Sequence, residues 1–504
     1  MMRNFESLAY VPAEAFLSAF FLLALVLSFW KRIRTNRSLF YLAGFFGITI
    51  ALTLELTAGR VKGNGALLFY GMIRNDHLSQ LFTVLCLFSS LFLFLFSFIS
   101  RETTRKFKDG AEYVLLILAN ALGMVLLVSS ANLLMMYLSL EFLSFTSYLL
   151  TGFVDRGEKT SEAAVKYLLY GGIASGVMVY GLSLLYGIAG SLDYAALHMF
   201  FVNNTVPGVT LAIPIIFILA GMGFKIAAFP FHAWCPDVYE GAPTPFTAFL
   251  SVGPKAAGFV LIVRFFYQIF GSTDGGEILT AVGGLDWSLL FAVLSACTMT
   301  FGNLAALHQK NIKRMLAYSS IAHAGYILMA VASQTPFGVS AIFFYFAVYF
   351  LMNFGAFLVV ILVSNEFNSE LIEDYEGLAW KRGKGAFLAS MLAVYLLSLT
   401  GIPPFAGFIG KVYLLLAVFQ KGSSLYWLAV VAVINTVISL YYYARVLQLM
   451  FLSKRQKGVT LSAMERHHVV PYSVLAGLSF FTVLFGIYWV PIDHLSRLAV
   501  NFLK

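Results

Sequence analysis

Apolar runs long enough to cross a bilayer recur fourteen times along this chain. They fall near residues 11–30, 39–58, 77–99, 112–130, 132–153, 164–189, 211–239, 246–270, 287–306, 315–333, 337–363, 385–420, 425–451 and 470–490. A backbone in lipid must satisfy its own hydrogen bonds, so runs of this length fold there as helices. Hydrophobic residues make up 60% of the chain and charged residues 11%, where a soluble protein carries about 25% charged residues. The expected fold is therefore all-α and integral to the membrane, with about fourteen transmembrane helices. Only Ser129-Ser130-Ala131-Asn132 divides the fourth run from the fifth. The first run has no basic flank before it and no small-residue cleavage site after it, which speaks against a cleaved signal peptide.

The net charge of +9 invites a nucleic-acid partner, but its distribution gives another explanation. With the N-terminus outside, the cytoplasmic loops hold 20 of the 33 lysines and arginines and the outer segments hold seven. The cytoplasmic set includes Lys31, Arg32, Arg34 and Arg37, then Lys310, Lys313 and Arg314, and then Lys454, Arg455, Lys457 and Arg466. That asymmetry places both termini on the outer face. The basic balance is a topology signal, and no nucleic-acid partner is expected. Three distant cysteines, Cys86, Cys235 and Cys297, read as apolar filler. The sequence has no phosphate-binding glycine loop, metal-ligand cluster or catalytic-triad pattern.

Six basic residues remain inside the runs: Lys166, Lys225, Lys255, Arg264, Lys411 and Arg445. Of the acids only Glu141 lies deep in a span, and Glu55 is near enough to a helix end to reach the interface. Ionisable groups in lipid mark ion or proton paths by default. Lys225 stands in GMGFKIAAFPFHAWCPDVYEGAPTP, where Pro230 should break the helix. Broken helices survive in lipid only where they are buried in protein or line a wet cavity. A second long run is interrupted at Gly401-Ile402-Pro403-Pro404, just before Lys411. Two proline-broken spans in corresponding places point to a transporter built from repeats. Both breaks are expected to face the protein interior.

Burial disfavours a charged lysine unless a carboxylate supports it, so Lys225 suits a proton carrier and Glu141 is its natural partner. Glu141, Ser144 and Ser147 share one helical stripe. Lys255 comes ten residues into its run, about 15 Å at helical rise and near the midplane. His232 and His323 either relay protons or are satisfied core residues. Lys166 follows Glu162 by four residues, the favourable order for a surface ion pair. Arg264 and Arg445 have the length to snorkel. Asp237 and Glu240 form either an acidic mouth or ordinary loop caps.

The segments GFKIAAFPFHAWCPDVYEGAPTP, KNIKRMLAYSSIAHAGY and GIPPFAGFIGKVYLL resemble the antiporter-like membrane subunits of respiratory complex I. With MYLSLEFLSFTSYLL and the chain length, the N-type subunit fits best. The resemblance covers nearly the whole chain and is weakest in the first three spans and the last. It implies two inverted five-helix repeats, helices 4–8 and 9–13, each with a discontinuous helix. It also implies that Glu141, Lys225, Lys255 and Lys411 transfer protons, and it raises Lys166 as the family's helix-6 lysine. Cys235 and His308 depart from the family pattern, off the proposed path.

The expected domains are an N-terminal three-helix segment (1–110), a first repeat (111–270), a second repeat (286–451) and a C-terminal helix with its tail (452–504). The resemblance implies a proton-translocating subunit of an NADH:quinone oxidoreductase in the bacterial inner membrane, contacting lipid and K-type and M-type neighbours. It places NADH, FMN, iron–sulfur clusters and quinone in those partner subunits, with no cofactor bound by this chain. A subunit of a multi-subunit sodium/proton antiporter or membrane-bound hydrogenase is a close alternative. An independent solute carrier is a more distant one.

Overall fold

The computed structural model describes residues 4–30, 37–58, 65–106, 110–154, 157–271, 285–381, 383–453 and 469–503. Arg3, Lys31, Arg32, Arg34, Arg60, Lys62, Lys108, Arg156, Arg382, Lys454, Arg455, Lys457, Arg466 and Lys504 lie outside the described residues. The loop charges behind the topology expectation are therefore largely undescribed.

A helix stands at each expected place. The first six are α1 (Pro12–Ser28), α2 (Arg37–Ala58), α3 (His77–Ile99), α4 (Gly110–Ser129), α5 (Leu133–Thr151) and α6 (Glu158–Ala189). The seventh is split into α7a (Gly208–Ile226) and α7b (Trp234–Gly241). Next come α8 (Thr244–Ile269), α9 (Trp287–Ala306), α10 (Ile312–Ser333) and α11 (Pro336–Phe367). The twelfth is split into α12a (Lys384–Thr400) and α12b (Ala406–Lys421), followed by α13 (Tyr426–Phe451), α14 (Val469–Ile487) and a short α15 (Val490–Leu498). Among the described residues twelve helices are long and apolar enough to cross a membrane alone. The two expected spans outside that number are α1, with 17 residues, and the split α12a–α12b.

Capping residues set many of the helix starts. Asp76 closes a capping box with Ser79 at the head of α3, and Asn132, Asp286, Asn311 and Thr335 cap α5, α9, α10 and α11. Asn132 thus resolves the narrow division between the fourth and fifth spans. The all-helical expectation misses one small hairpin, β1 (Ala66–Leu68) with β2 (Ile73–Asn75), paired antiparallel with Leu67 opposite Arg74.

The wholly buried α8 forms the axis of the bundle, packed by α3, α4, α7a, α10 and α11. Lipid tails are as apolar as leucine, so close side-chain packing and internal hydrogen bonds hold such a bundle together. Phe92 and Phe96 of α3 meet Phe354 of α11 edge-on at 5.3 and 5.6 Å between ring centroids. These phenylalanines of α3 and α11 are therefore internal packing.

Two polar fastenings tie elements far apart in sequence. The fully buried Arg264 of α8 grips Asp76 with two hydrogen bonds, at 2.7 and 3.0 Å, and donates Nε to the Val128 carbonyl at 2.6 Å. It does not snorkel, because the head of α3 and the end of α4 supply its acceptors inside the bundle. Lys313, at the start of α10, donates Nζ to the carbonyls of Glu240 (3.1 Å) and Ala242 (2.7 Å) and to Glu370 Oε1 (3.1 Å). It joins the end of α7b to the segment after α11.

Glu55 does not turn outward from its helix end. It is buried in the three-helix junction of α1, α2 and α4, within range of the charge on Glu14, itself 3.5 Å from the Ser129 hydroxyl.

A row of buried bases between two broken helices

Both breaks are built so that freed backbone groups find partners. α7a ends where Ala227 turns into the left-handed region at φ +58, a conformation that costs a non-glycine residue about 1–2 kcal/mol. Ala228 N–H folds back to the Gly223 carbonyl at 2.8 Å, and Trp234 Nε1 donates to the Phe224 carbonyl at 3.1 Å. Phe229 N–H is taken by Thr298 of α9 at 3.1 Å. At the second break Gly401 takes φ +86, and its N–H bonds the carbonyls of Leu397 and Ser398. The Thr400 carbonyl accepts from Lys411 Nζ at 2.8 Å, a cation at the negative end of α12a.

The expectation that both breaks face inward holds for one side of the first, whereas at the second Gly401, Ile402 and Phe405 are only half-buried. Ala227, Ala228 and His232 are buried, while Pro230, Pro403 and Pro404 are exposed. Proline has no N–H to leave unsatisfied, so it is the residue that can face outward here.

Lys225 is 2% exposed and donates to Ser144 Oγ at 3.1 Å. Among the described residues it makes no ion pair, and the Glu141 charge reaches it only at longer range. Glu141 accepts instead from the Ser175 hydroxyl of α6 and is only half-buried. Ser144 thus takes the place beside Lys225 where Glu141 was expected.

Lys255 Nζ donates to Ser320 of α10, to the hydroxyl at 2.7 Å and the carbonyl at 3.1 Å. The Tyr239 hydroxyl lies 3.5 Å from the same Ser320 hydroxyl. One turn along α10, His323 Nδ1 bonds the Tyr345 hydroxyl at 2.6 Å. Both Lys255 and Lys411 are near enough for their charges to act on His323. Lys411 Nζ sits 4.5 Å from the Tyr326 ring centroid and 3.4 Å from Thr436 Oγ1, which in turn is 3.2 Å from the Tyr326 hydroxyl. A cavity of about 20 Å³ lined by Lys411, Tyr326 and Thr436 has room for about one water.

The row therefore alternates bases with hydroxyls: Lys225 with Ser144, Lys255 with Ser320 and Tyr239, His323 with Tyr345, and Lys411 with Thr436. Hydroxyls both donate and accept, so they suit the transfer of protons between bases. Its tyrosines and threonine were not singled out in the sequence. With 26 tyrosines in the chain, nothing local marks those that join a polar row. Gly253-Pro254-Lys255, with a proline inside α8, is a local irregularity beside one of these bases.

Two expected site residues stand elsewhere. Lys166 is 36% exposed and pairs with Glu162 and Asp237, both at 2.6 Å. Asp237 and Glu240 are shared with Arg314 at 2.6 and 2.9 Å, and Glu240 also meets Lys159 at 2.8 Å, so these acids belong to a charged cluster at the helix ends. His232 lies at the first break against Phe229 and Phe301, and among the described residues its Nδ1 has no hydrogen-bond partner. An apolar cavity of about 220 Å³ flanks the same break, lined by Gly223, Phe229, Pro230, Phe231 and Leu294 among others. Arg445 reaches the carbonyls of Leu307 and Gln309 at 3.4 Å, capping the end of α9. Among the described residues no group of three or more His, Cys, Asp or Glu side chains could hold a metal ion.

Fold and site together define a polytopic helical membrane protein with an internal row of ionisable side chains. The chain belongs to the NADH:quinone oxidoreductase/Mrp antiporter transmembrane family, whose model matches residues 130–439. It is 41% identical over 98% of its length to NADH-quinone oxidoreductase subunit N 2 of Chloroherpeton thalassium, covering 94% of that protein. It is 44% identical over 87% of its length to NADH-quinone oxidoreductase subunit N of an Anaeromyxobacter species, covering 86% of it. Among solved structures, a chain of respiratory complex I from Thermus thermophilus with bound aureothin matches 96% of this chain and 98% of its own. The TM-score there is 0.77 and the identity 30%.

Proposed function

We propose that the chain is the N-type membrane subunit of a proton-translocating NADH:quinone oxidoreductase. The observation that carries this reading is the row of buried lysines, each held by a hydroxyl or carbonyl, in a chain similar over nearly its full length to subunit N proteins. The work of this chain would be proton transfer: Glu141 biases Lys225 through Ser144, and Lys255, His323 and Lys411 continue the row. NADH, FMN, iron–sulfur clusters and quinone would be handled by partner subunits. Residues 111–270 and 286–451 would form the two antiporter-like units, with both termini on the outer face of a bacterial inner membrane. K-type and M-type subunits would flank the chain. The half-buried Glu141, beside the exposed Leu138 and Phe145 of α5, favours a subunit contact there.

The test uses the intact complex in proteoliposomes, with NADH-driven proton uptake and quinone reduction measured together. Lys225→Ala and Lys411→Ala should assemble and lose proton uptake. Full uptake in both variants would overturn the reading. Proton or sodium exchange by the purified chain alone, without NADH, would favour the antiporter or solute-carrier alternatives.

A further inference from the structure

The C-terminal segment contacts the second broken span on both sides of the break and at the break itself. α14 crosses the break itself: Gly486 lies so close that a Cβ there would come within 2.6 Å of the Phe405 carbonyl carbon and 2.7 Å of Ala406 N. The same helix holds α12a, since the Tyr395 hydroxyl donates to the Leu475 carbonyl at 2.7 Å and accepts from Ser479 at 2.8 Å. α15 then reaches α12b, where Asp493 Oδ1 accepts the Tyr413 hydroxyl at 2.8 Å. α15 is short, with Ile492 and Ser496 inward and Val490 and Leu495 outward.

Tyr413 is well placed to transmit that contact. Its ring stacks on Phe344 of α11 at 4.1 Å with an interplanar angle of 11°, and on Phe337 at 5.6 Å. It stands two residues beyond Lys411 on the same 16-residue helix. Lys411 spans the break to the Thr400 carbonyl on α12a. A tilt or rotation of α12b against α12a would therefore change the Lys411–Thr400 contact, and Asp493 restrains that motion from outside the bundle. Asp493 is itself oriented by Arg497 at 2.9 Å, one turn on.

We infer that α14 and α15 are a brace for the second broken span, and that Asp493 and Tyr413 are positioning residues for Lys411. The inference rests on the reading of Lys411 as a proton carrier. Neither residue need touch the proton. They fix the distance across which Lys411 exchanges between its bond to Thr400 and the cavity it shares with Thr436.

The experiment uses the reconstituted complex, with protons translocated per NADH and their pH profile as readouts and assembly checked alongside. Tyr413→Phe keeps the stacked ring and removes the hydroxyl. Asp493→Leu removes the acceptor, and Asp493→Asn retains one. Tyr413→Phe and Asp493→Leu should each lower proton translocation by about two- to tenfold, the effect of one hydrogen bond. They should displace the pH profile in the same direction, and the double variant should be no worse than either single one. Asp493→Asn should stay near the parent. If Asp493→Leu fails to assemble, Tyr413→Phe decides. An unchanged ratio and profile in Tyr413→Phe, additive losses, or Asp493→Asn as damaged as Asp493→Leu would each overturn the brace. Full translocation in Lys411→Ala would instead overturn the role of Lys411.

Discussion

Lys225 bonds Ser144, and Ser144 lies three residues beyond Glu141 on the same helix. If the acid acts on the base through this helix, Ser144 is the hydroxyl on that route, since it already holds the lysine. Removing Ser144 should disturb the switch without removing either charge. A hydrogen bond to a charged group contributes about 1.5–3 kcal/mol, so Ser144→Ala should lower proton translocation by at least about tenfold. Glu141→Ala and Lys225→Ala should assemble and lose pumping, with Glu141→Asp retaining part of it. A double-mutant cycle on proton uptake checks this: strictly additive losses for Glu141 and Lys225 would mean that no shared switch exists.

Gly258 of α8 offers a steric handle on the same lysine. A Cβ there would stand 2.9 Å from Ile226 Cγ2 and 3.3 Å from Lys225 Cγ. Gly258→Val should push the lysine stem away from Ser144, at a packing cost of about 1–3 kcal/mol. Proton uptake should fall more than the amount of assembled complex does, and Gly258→Ala should be milder. Equal loss of both quantities would show only a folding defect.

The Asp76–Arg264 grip predicts an acid limit to stability. Burial alone would push the Asp76 carboxyl up, but the Arg264 guanidinium, the Ser79 N–H and Arg74 together hold it below the usual carboxylate range. A carboxyl depressed in the folded state contributes stability above its unfolded value, about pH 4, and loses it as the pH falls through the lower folded value. Thermal unfolding of the detergent-solubilised complex should therefore show an acid limb that Asp76→Asn shallows. Arg264→Ala strands a buried carboxylate and should cost about 3–5 kcal/mol. A melting temperature unmoved by Arg264→Ala would refute the assignment.

Lys166 should matter less than Lys411. Partly exposed ion pairs contribute about 0.2–1 kcal/mol, so Lys166→Met should leave most proton uptake intact where Lys411→Met abolishes it. The comparison needs only side-by-side initial rates, and equal loss in both would return Lys166 to the row.

The parts of this molecule legible in its sequence are those with a strong local cause. Proline and glycine broke the two long spans where expected, because backbone chemistry at Pro230 and Gly401 leaves little choice. Lys225, Lys255 and Lys411 stood out because a charge in an apolar run is rare whatever surrounds it. What stayed hidden was pairing. That Lys225 finds Ser144, that Arg264 finds Asp76 across 188 residues, and that Glu141 finds Ser175 depend on how helices pack, and a single helix carries no mark of its neighbours. Lys166 shows the converse, since a basic residue inside an apolar run settled on a partly exposed edge once Asp237 was brought to it.

Lys313 also bears on how the chain is made. Its ammonium takes the carbonyls of Glu240 and Ala242, 73 and 71 residues earlier in the chain. During synthesis those oxygens emerge before α9 and α10 exist. Their bonds to the Lys313 ammonium can form only after α10 has been made. The end of the seventh span thus gains this fastening only once the second half of the molecule is in place.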